Sequence, residues 1–149
     1  MTIYTLREIA SDDFARWRDL FAQYCTFYET DFSEEKAETV WGWLQDPAHP
    51  EEGRLLCADD EVIGLLHFRP QPLTLIGGDV GFVDDLFIDP EARGRGLGAF
   101  VAEQLTDIAR DRGWPSLQWL TADDNYRGRT LYDRFAKRTM WITYELDLD

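Results

Sequence analysis

Residues 84 to 100, Asp-Asp-Leu-Phe-Ile-Asp-Pro-Glu-Ala-Arg-Gly-Arg-Gly-Leu-Gly-Ala-Phe, leave this chain few ways to fold. The segment starts as an apolar run behind two adjacent carboxylates, turns at Asp89-Pro90, and passes through Gly94, Gly96 and Gly98. Leu97, Phe100, Val101, Leu105 and Ile108 then recur at helical spacing. The order predicted is strand, glycine-rich turn, helix. The first backbone N–H groups of a helix have no partners inside it. Glycine lets the chain bend so that they converge, and the helix dipole adds partial positive charge. Arg93 and Arg95 add full charges, with no acidic residue before Glu103. The favoured ligand is a di- or polyphosphate; the plainer alternative is a flexible turn that caps an ordinary helix. A P-loop is excluded because the stretch has no Lys. The dinucleotide pattern G-x-G-x-x-A matches formally from Gly94 to Ala99. In a Rossmann unit, however, the first glycine follows its strand almost directly, and here five residues separate Ile88 from Gly94.

Val80 to Ile88 is apolar on both faces, which predicts a buried central strand. Asp84 and Asp85 then point to opposite faces unless a bulge intervenes. A carboxylate in such a strand is costly without a partner or a task. One of the two is expected to pair with an arginine or cap a backbone N–H. The other is a candidate base, its pKa raised by partial burial.

The flanking chain supplies further elements. Ile3 to Ile9 reads as a strand and Ser11 as a helix cap. Phe14, Trp17, Phe21, Tyr24 and Tyr28 form an aromatic stripe on one helix face. Most of the stripe reads as core; Tyr24, Phe27 and Tyr28, near the helix end, are also candidates to wall an acceptor pocket. Ser33 caps a second helix that stops at Asp46-Pro47. Arg54 to Ala58 and Val62 to Phe68 read as a hairpin, followed by a loop from Pro70 to Asp79. The third helix ends at Gly113. Leu117 to Thr121 is the next strand, and Asn125 opens a fourth helix carrying Leu131, Tyr132 and Phe135. Met140 to Leu148 alternates as a half-exposed closing strand.

A chain of 149 residues, 44% hydrophobic with 6 Trp and 9 Phe, suits a single domain over residues 1–149. No apolar run is long enough to span a bilayer, and Met1-Thr2-Ile3-Tyr4 does not resemble a signal peptide. The expectation is a cytoplasmic protein. Cys25 and Cys57 read as reduced core residues, and with 2 Cys and 2 His no metal site is expected. The net charge of −14 opposes binding to nucleic acid or an anionic membrane and favours a cationic substrate.

Arg93-Gly94-Arg95-Gly96-Leu97-Gly98 also matches Gln/Arg-x-x-Gly-x-Gly/Ala and resembles the coenzyme A pyrophosphate loop of the GNAT superfamily of N-acetyltransferases. The block from Asn125 to Tyr132 looks like that superfamily's later Asn…Leu-Tyr motif. The ordered pair covers nearly the whole chain together with its flanking elements. The resemblance implies an α+β fold, an α/β/α sandwich, with a mixed, largely antiparallel sheet, splayed central strands and about four helices. It implies acetyl-CoA as donor and no metal.

It also assigns roles. Leu86, Phe87 and Ile88 would pair through their backbone with the pantetheine arm. Arg93, Gly94, Arg95, Gly96, Leu97 and Gly98 would hold the pyrophosphate, and Arg129 would reach a phosphate or face water. Asn125 would hydrogen-bond the arm. Tyr132 would protonate the departing sulfur, or else be a core aromatic. Asp84 stands where amine-acetylating relatives often have a Glu as base; being shorter, it would work through water, with Asp85 as fallback. Tyr24, Tyr28, Asp84 and Asp85 would contact the acceptor. Gly128 stands where the family commonly has Ala, at a cost in helix propensity. Phe135 to Thr139 lacks the family's common Gly-Phe ending. The implied activity is acetyl transfer to a primary amine by direct attack, the acceptor being a small amine, polyamine or amino-acid-like compound, and a homodimer is common in the family. The alternatives are a non-catalytic acyl-CoA sensor and an enzyme acting on a protein lysine or N-terminus.

Overall fold

A computed structural model describes residues 1–149. Five strands form one sheet in chain order: β1 (Tyr4–Glu8), β2 (Glu52–Ala58), β3 (Glu61–Leu73), β4 (Gly78–Ile88) and β5 (Leu117–Trp119). The first four pair antiparallel, and β5 runs parallel to β4. Helices α1 (Phe14–Phe27), α2 (Glu34–Gln45), α3 (Leu97–Asp111) and α4 (Tyr126–Tyr132) complete the α+β fold. No helix is long and apolar enough to cross a membrane.

Alternation in the middle strands builds two cores. Leu55, Cys57, Leu65 and Phe87 face α1 and α2, where Trp17, Leu20 and Phe21 are buried. Leu56, Leu66 and Phe68 face α3, against Leu97, Val101 and Leu105. A strand buried on both faces must read as a continuous apolar run, and Val62–Phe68 does so apart from His67.

Two features of β4 place the site. Its register against β3 slips at Asp84: His67 opposes Asp85, but Phe68 opposes Val83. Val83 and Leu86, three residues apart, both pack on the α3 side, which simple alternation forbids. The bulge therefore answers the question of where Asp84 and Asp85 point, since both now border one cavity. Second, β5 pairs with β4 only from Gly81 to Val83. The outer edge of β4 from Asp84 to Ile88 has no strand beside it, so the two strands part there.

Several expected boundaries change. Ser11 does not cap a helix: a 3₁₀ turn precedes α1, and the Asp13 carboxylate accepts from the Ala10 N–H at 2.7 Å. Ser33 does cap α2, accepting from the Lys36 N–H at 3.0 Å. Pro70 to Asp79 is not a loop. β3 and β4 continue as a hairpin to the Leu73–Gly78 pair. β2 stops pairing at Phe68, so Pro70 and Pro72 lie where no strand needs their missing N–H groups. β5 ends at Trp119 rather than Thr121. Met140 to Leu148 is not a strand of this chain's sheet, and residues 137–149 make no hydrogen bond with the rest of the chain. Alternation records a preference for two different faces, but a strand also needs an edge to pair with.

Candidate active site

The turn into α3 takes the shape that its glycines permit. Gly94 and Gly96 have φ of 87° and 70°, a region closed to most side chains. The N–H groups of residues 94–99 find no acceptor in the chain. Six donors at one helix start form a cradle for an anion. Arg93 folds over it: its Nε donates to the Ile88 carbonyl at 2.9 Å and its guanidinium lies 5.3 Å from the Phe87 ring. Burial, followed by the nearby Arg127 charge, lowers the Arg93 pKa. Arg127 thus sits beside this corner as a second cation. Arg95 reaches the Tyr4 hydroxyl at 3.3 Å. Arg129 points elsewhere, donating to the Asp123 carbonyl at 2.6 Å and bridging its carboxylate at 3.2 Å, so it orders the start of α4.

Two cavities meet where β4 and β5 part. The first, about 260 Å³, is lined by Leu86, Gly98, Val101, Leu117, Trp119 and Tyr132. The second, about 360 Å³, is bordered by Lys36, Glu51, His67 and Asp85. Tyr24, Tyr28 and Asp84 line both. One chamber is thus mostly apolar, and the other carries most of the charge.

The polar chamber is organised by a buried chain of hydrogen bonds. Trp17 Nε1 donates to His67 Nε2 at 2.9 Å, so His67 presents its Nδ1–H to Asp85 at 2.8 Å. Burial pushes the Asp85 carboxyl up, but the hydrogen bonds and charge interactions from His67 and the Tyr24 hydroxyl more than offset it and hold the pKa low. Asp85 is therefore an anchored carboxylate. Burial and the Asp85 charge in turn raise the Tyr24 pKa. Asp84 is gripped by Arg69, with Nε to Oδ2 at 3.0 Å and NH2 to Oδ1 at 3.4 Å, while the same guanidinium covers Phe82. Glu51 differs from both. Its Oε2 is buried without a partner. Burial, then the neighbouring carboxylates Asp84 and Asp85, push its pKa well above the carboxylate range. Against the opposing charge of Arg69, 3.9 Å from its other oxygen, these effects favour the protonated form of Glu51.

Tyr132 stands on the last turn of α4, edge-on to Trp119 with ring centres 5.4 Å apart. Burial, followed by the adjacent Tyr28, raises its pKa, which keeps the phenol protonated. Its hydroxyl makes no hydrogen bond to the protein. Asn125 does not line either cavity. Its Oδ1 caps α4 through the Gly128 N–H at 3.2 Å, and its Nδ2 donates to Thr121 at 2.9 Å. A Cβ on Gly128 would lie 2.6 Å from that Nδ2, so this glycine makes room for the cap. A Cβ on Gly98 would meet Leu131 at 2.6 Å, which lets α4 close over α3.

Residue reasoning did not find Glu51, His67, Lys36 or Arg69 as site residues. His67 carries a visible signal, the single ionisable side chain in the apolar run Val62–Phe68. Glu51 sits beside another Glu at the start of β2 and carries none.

A forked sheet edge runs from a cluster of free N–H groups to a chamber lined by carboxyl groups, an arrangement with room for an anionic carrier and a second reactant in one cleft. The Acetyltransferase (GNAT) family model matches residues 11–136. The chain belongs to the GNAT acetyltransferase family; it is an N-acetyltransferase and uses acetyl-CoA. It is 26% identical over 142 residues to a D-amino-acid N-acetyltransferase of Saccharomyces cerevisiae, covering 94% of this chain and 88% of the yeast protein. In fold it is similar to a ribosomal-protein-alanine N-acetyltransferase from Brucella melitensis, with TM-score 0.82, 23% identity and coverage of 97% and 99% of the two chains. It is also similar to an aminoglycoside N-acetyltransferase in complex with CoA, with TM-score 0.80, 15% identity and coverage of 99% and 96%.

Proposed function

We propose that the protein acetylates the amino group of a small cationic or zwitterionic acceptor, with amino-acid-like compounds as the best fit. The observation that carries this reading is the second cavity. It is lined by the carboxyl groups of Glu51, Asp84 and Asp85 and by Lys36, whose ammonium donates to the Asp31 carbonyl. That pairing suits a molecule bearing both an ammonium and a carboxylate, and the yeast relative acts on D-amino acids. A polyamine would leave Lys36 facing a like charge.

The donor fits the other half of the cleft. The free N–H groups of residues 94–99 suit a diphosphate, and the glycines leave space for it. Arg93 and Arg127 supply charge; Arg95 and Leu97 contribute backbone donors. The edge of β4 at Leu86, Phe87 and Ile88 has no strand beside it, with only the Ile88 carbonyl taken by Arg93, and suits the extended arm, with Gly98 and Trp119 lining its path. When bound, acetyl-CoA supplies an activated acyl group. Asn125 acts here as a positioning residue, fixing the helix that carries Tyr132.

Three proton tasks fall to side chains at the junction. Tyr132 holds a proton at its Oη for the departing sulfur. Asp84, tied to Arg69, takes the amine proton through water. Asp85 is anchored by His67 and serves to orient Tyr24. Much of the acceleration comes from holding the two reactants together.

The test is thiol release with a panel of D- and L-amino acids, diamines and aminoglycosides. Amino-acid-like acceptors should give the highest kcat/KM, and Lys36→Ala should raise KM selectively for acceptors bearing a carboxylate. Tyr132→Phe should lower kcat by about 10- to 100-fold while leaving CoA affinity unchanged. Unaltered turnover would remove that tyrosine from the mechanism. CoA binding with no turnover on any acceptor would favour the sensor alternative.

A further inference from the structure

Three carboxyl groups border the second cavity, and they differ in what holds them. Asp85 receives the His67 Nδ1–H, and Asp84 receives two N–H groups of Arg69. Glu51 lines the same cavity with its Oε2 buried and unpartnered. Its Oε1 lies 3.9 Å from the Arg69 Nε that grips Asp84, and its carboxyl is within hydrogen-bond reach of the Asp84 side chain. His49 Nδ1 accepts the Glu51 N–H at 3.0 Å and stacks on Trp43, which fixes the backbone beside the cavity. Two carboxyl groups sharing one guanidinium at this range ionise one at a time, so one proton rests on the pair.

No neighbour competes for that proton. On α1, burial keeps the Tyr24 and Tyr28 hydroxyls and the Cys25 thiol protonated. On α2, the Lys36 ammonium is occupied by the Asp31 carbonyl. On β3, Arg69 stays charged, and His67 has both ring nitrogens engaged. On β4, Asp85 is held ionised.

We propose that Glu51 stores the proton that Asp84 removes from the acceptor, receiving it across the carboxyl pair, so that Glu51 begins and ends each turnover protonated. This rests on the reading that the second cavity takes the acceptor. An ammonium seated beside the pair favours its fully ionised form, so the resting Glu51 proton leaves for solvent as the acceptor binds. Asp84 then takes one N–H proton through water, the nitrogen keeps the electron pair, and the proton moves on to Glu51. The nitrogen bonds to the acyl carbon, the carbon–sulfur bond breaks, and sulfur takes the Tyr132 proton. The second proton lost by the nitrogen restores Tyr132. Amide, thiol and the one proton already released are the products.

Calorimetric titration of the CoA-saturated protein near neutral pH, repeated in buffers of different ionisation heat, counts the protons released. D-Alanine and putrescine serve as zwitterionic and dicationic probes. Each should release about one proton per molecule bound to the parent chain and none on binding to Glu51→Gln. Gln keeps the size and neutral state of the resting side chain, so the variant retains the fold. In steady state it should lower kcat about 100-fold with KM for acetyl-CoA unchanged. Glu51→Asp should recover part of both the release and the rate. Binding to the parent without proton release, or equal release by Glu51→Gln, would overturn the proposal. So would full turnover by Glu51→Gln beside an impaired Asp84→Asn, and the cavity would then keep its place as the acceptor site. Binding of neither probe would remove the cavity reading itself, and the proposal with it.

Discussion

Glu51 and Asp85 show how one cavity gives two carboxyl groups different protonation states. Asp85 receives the His67 Nδ1–H at 2.8 Å and stays ionised. Glu51 has an unpartnered oxygen and two acidic neighbours, and stays protonated. In the unfolded chain Glu51 ionises near its ordinary value, so above that pH the folded state binds more protons than the unfolded state. Stability therefore falls as pH rises from the ordinary carboxyl value toward the raised one. Glu51→Gln, which imitates the protonated acid, should remove that slope. The variant should melt close to the parent near pH 4.5 and several degrees above it at pH 8, with the gap widening between. Melting curves across that range check this, and a gap independent of pH would mean that Glu51 is ionised in the fold. Neither state was legible in the sequence. Asp84 and Asp85 announce themselves by lying in an apolar strand, but which of them is anchored follows from His67, eighteen residues earlier on the neighbouring strand.

At the scale of elements, the strand–turn–helix from Gly78 to Asp111 was readable because its signals are local: apolar runs, glycines and a 3.6-residue period. Features that depend on partners were not. The bulge at Asp84 depends on how β4 meets β3, and β3 tolerates Pro70 and Pro72 because β2 stops short. Gly128 is the sharpest instance. Helix propensity alone predicts that Ala there stabilises α4 by ~1 kcal/mol. The Asn125 cap, worth ~1 kcal/mol, would be pushed off its N–H by the new Cβ. Gly128→Ala should therefore be nearly neutral in the parent. In an Asn125→Ala background, with no cap to lose, the same change should stabilise by the full propensity difference. Urea denaturation of the four chains measures this coupling. Equal effects in both backgrounds would show that the cap and the glycine are independent.

Over the whole molecule, charge separates the two reactants by sign. The net charge of −14 repels a polyanionic donor at long range and attracts a cationic acceptor. On the function proposed above, the donor would be recovered at short range by Arg93, Arg127 and the free N–H groups of residues 94–99, while the acceptor would meet the carboxylates of Asp84 and Asp85. Long-range terms are screened by salt, since the Debye length falls to about 10 Å at about 0.1 M ionic strength, whereas contacts inside the cleft are screened much less. The two substrates should therefore respond differently. Raising ionic strength from about 0.02 M to about 0.2 M should raise KM several-fold for an acceptor with net positive charge. KM for a zwitterionic amino acid, which has no net charge to steer, should change little. KM for acetyl-CoA should hold steady or fall, because screening relieves the repulsion by the acidic surface. Initial rates at fixed pH with a neutral salt decide the matter. If KM for a cationic acceptor did not change with salt, the acidic surface would contribute solubility alone, and acceptor selection would rest on the side chains of the second cavity.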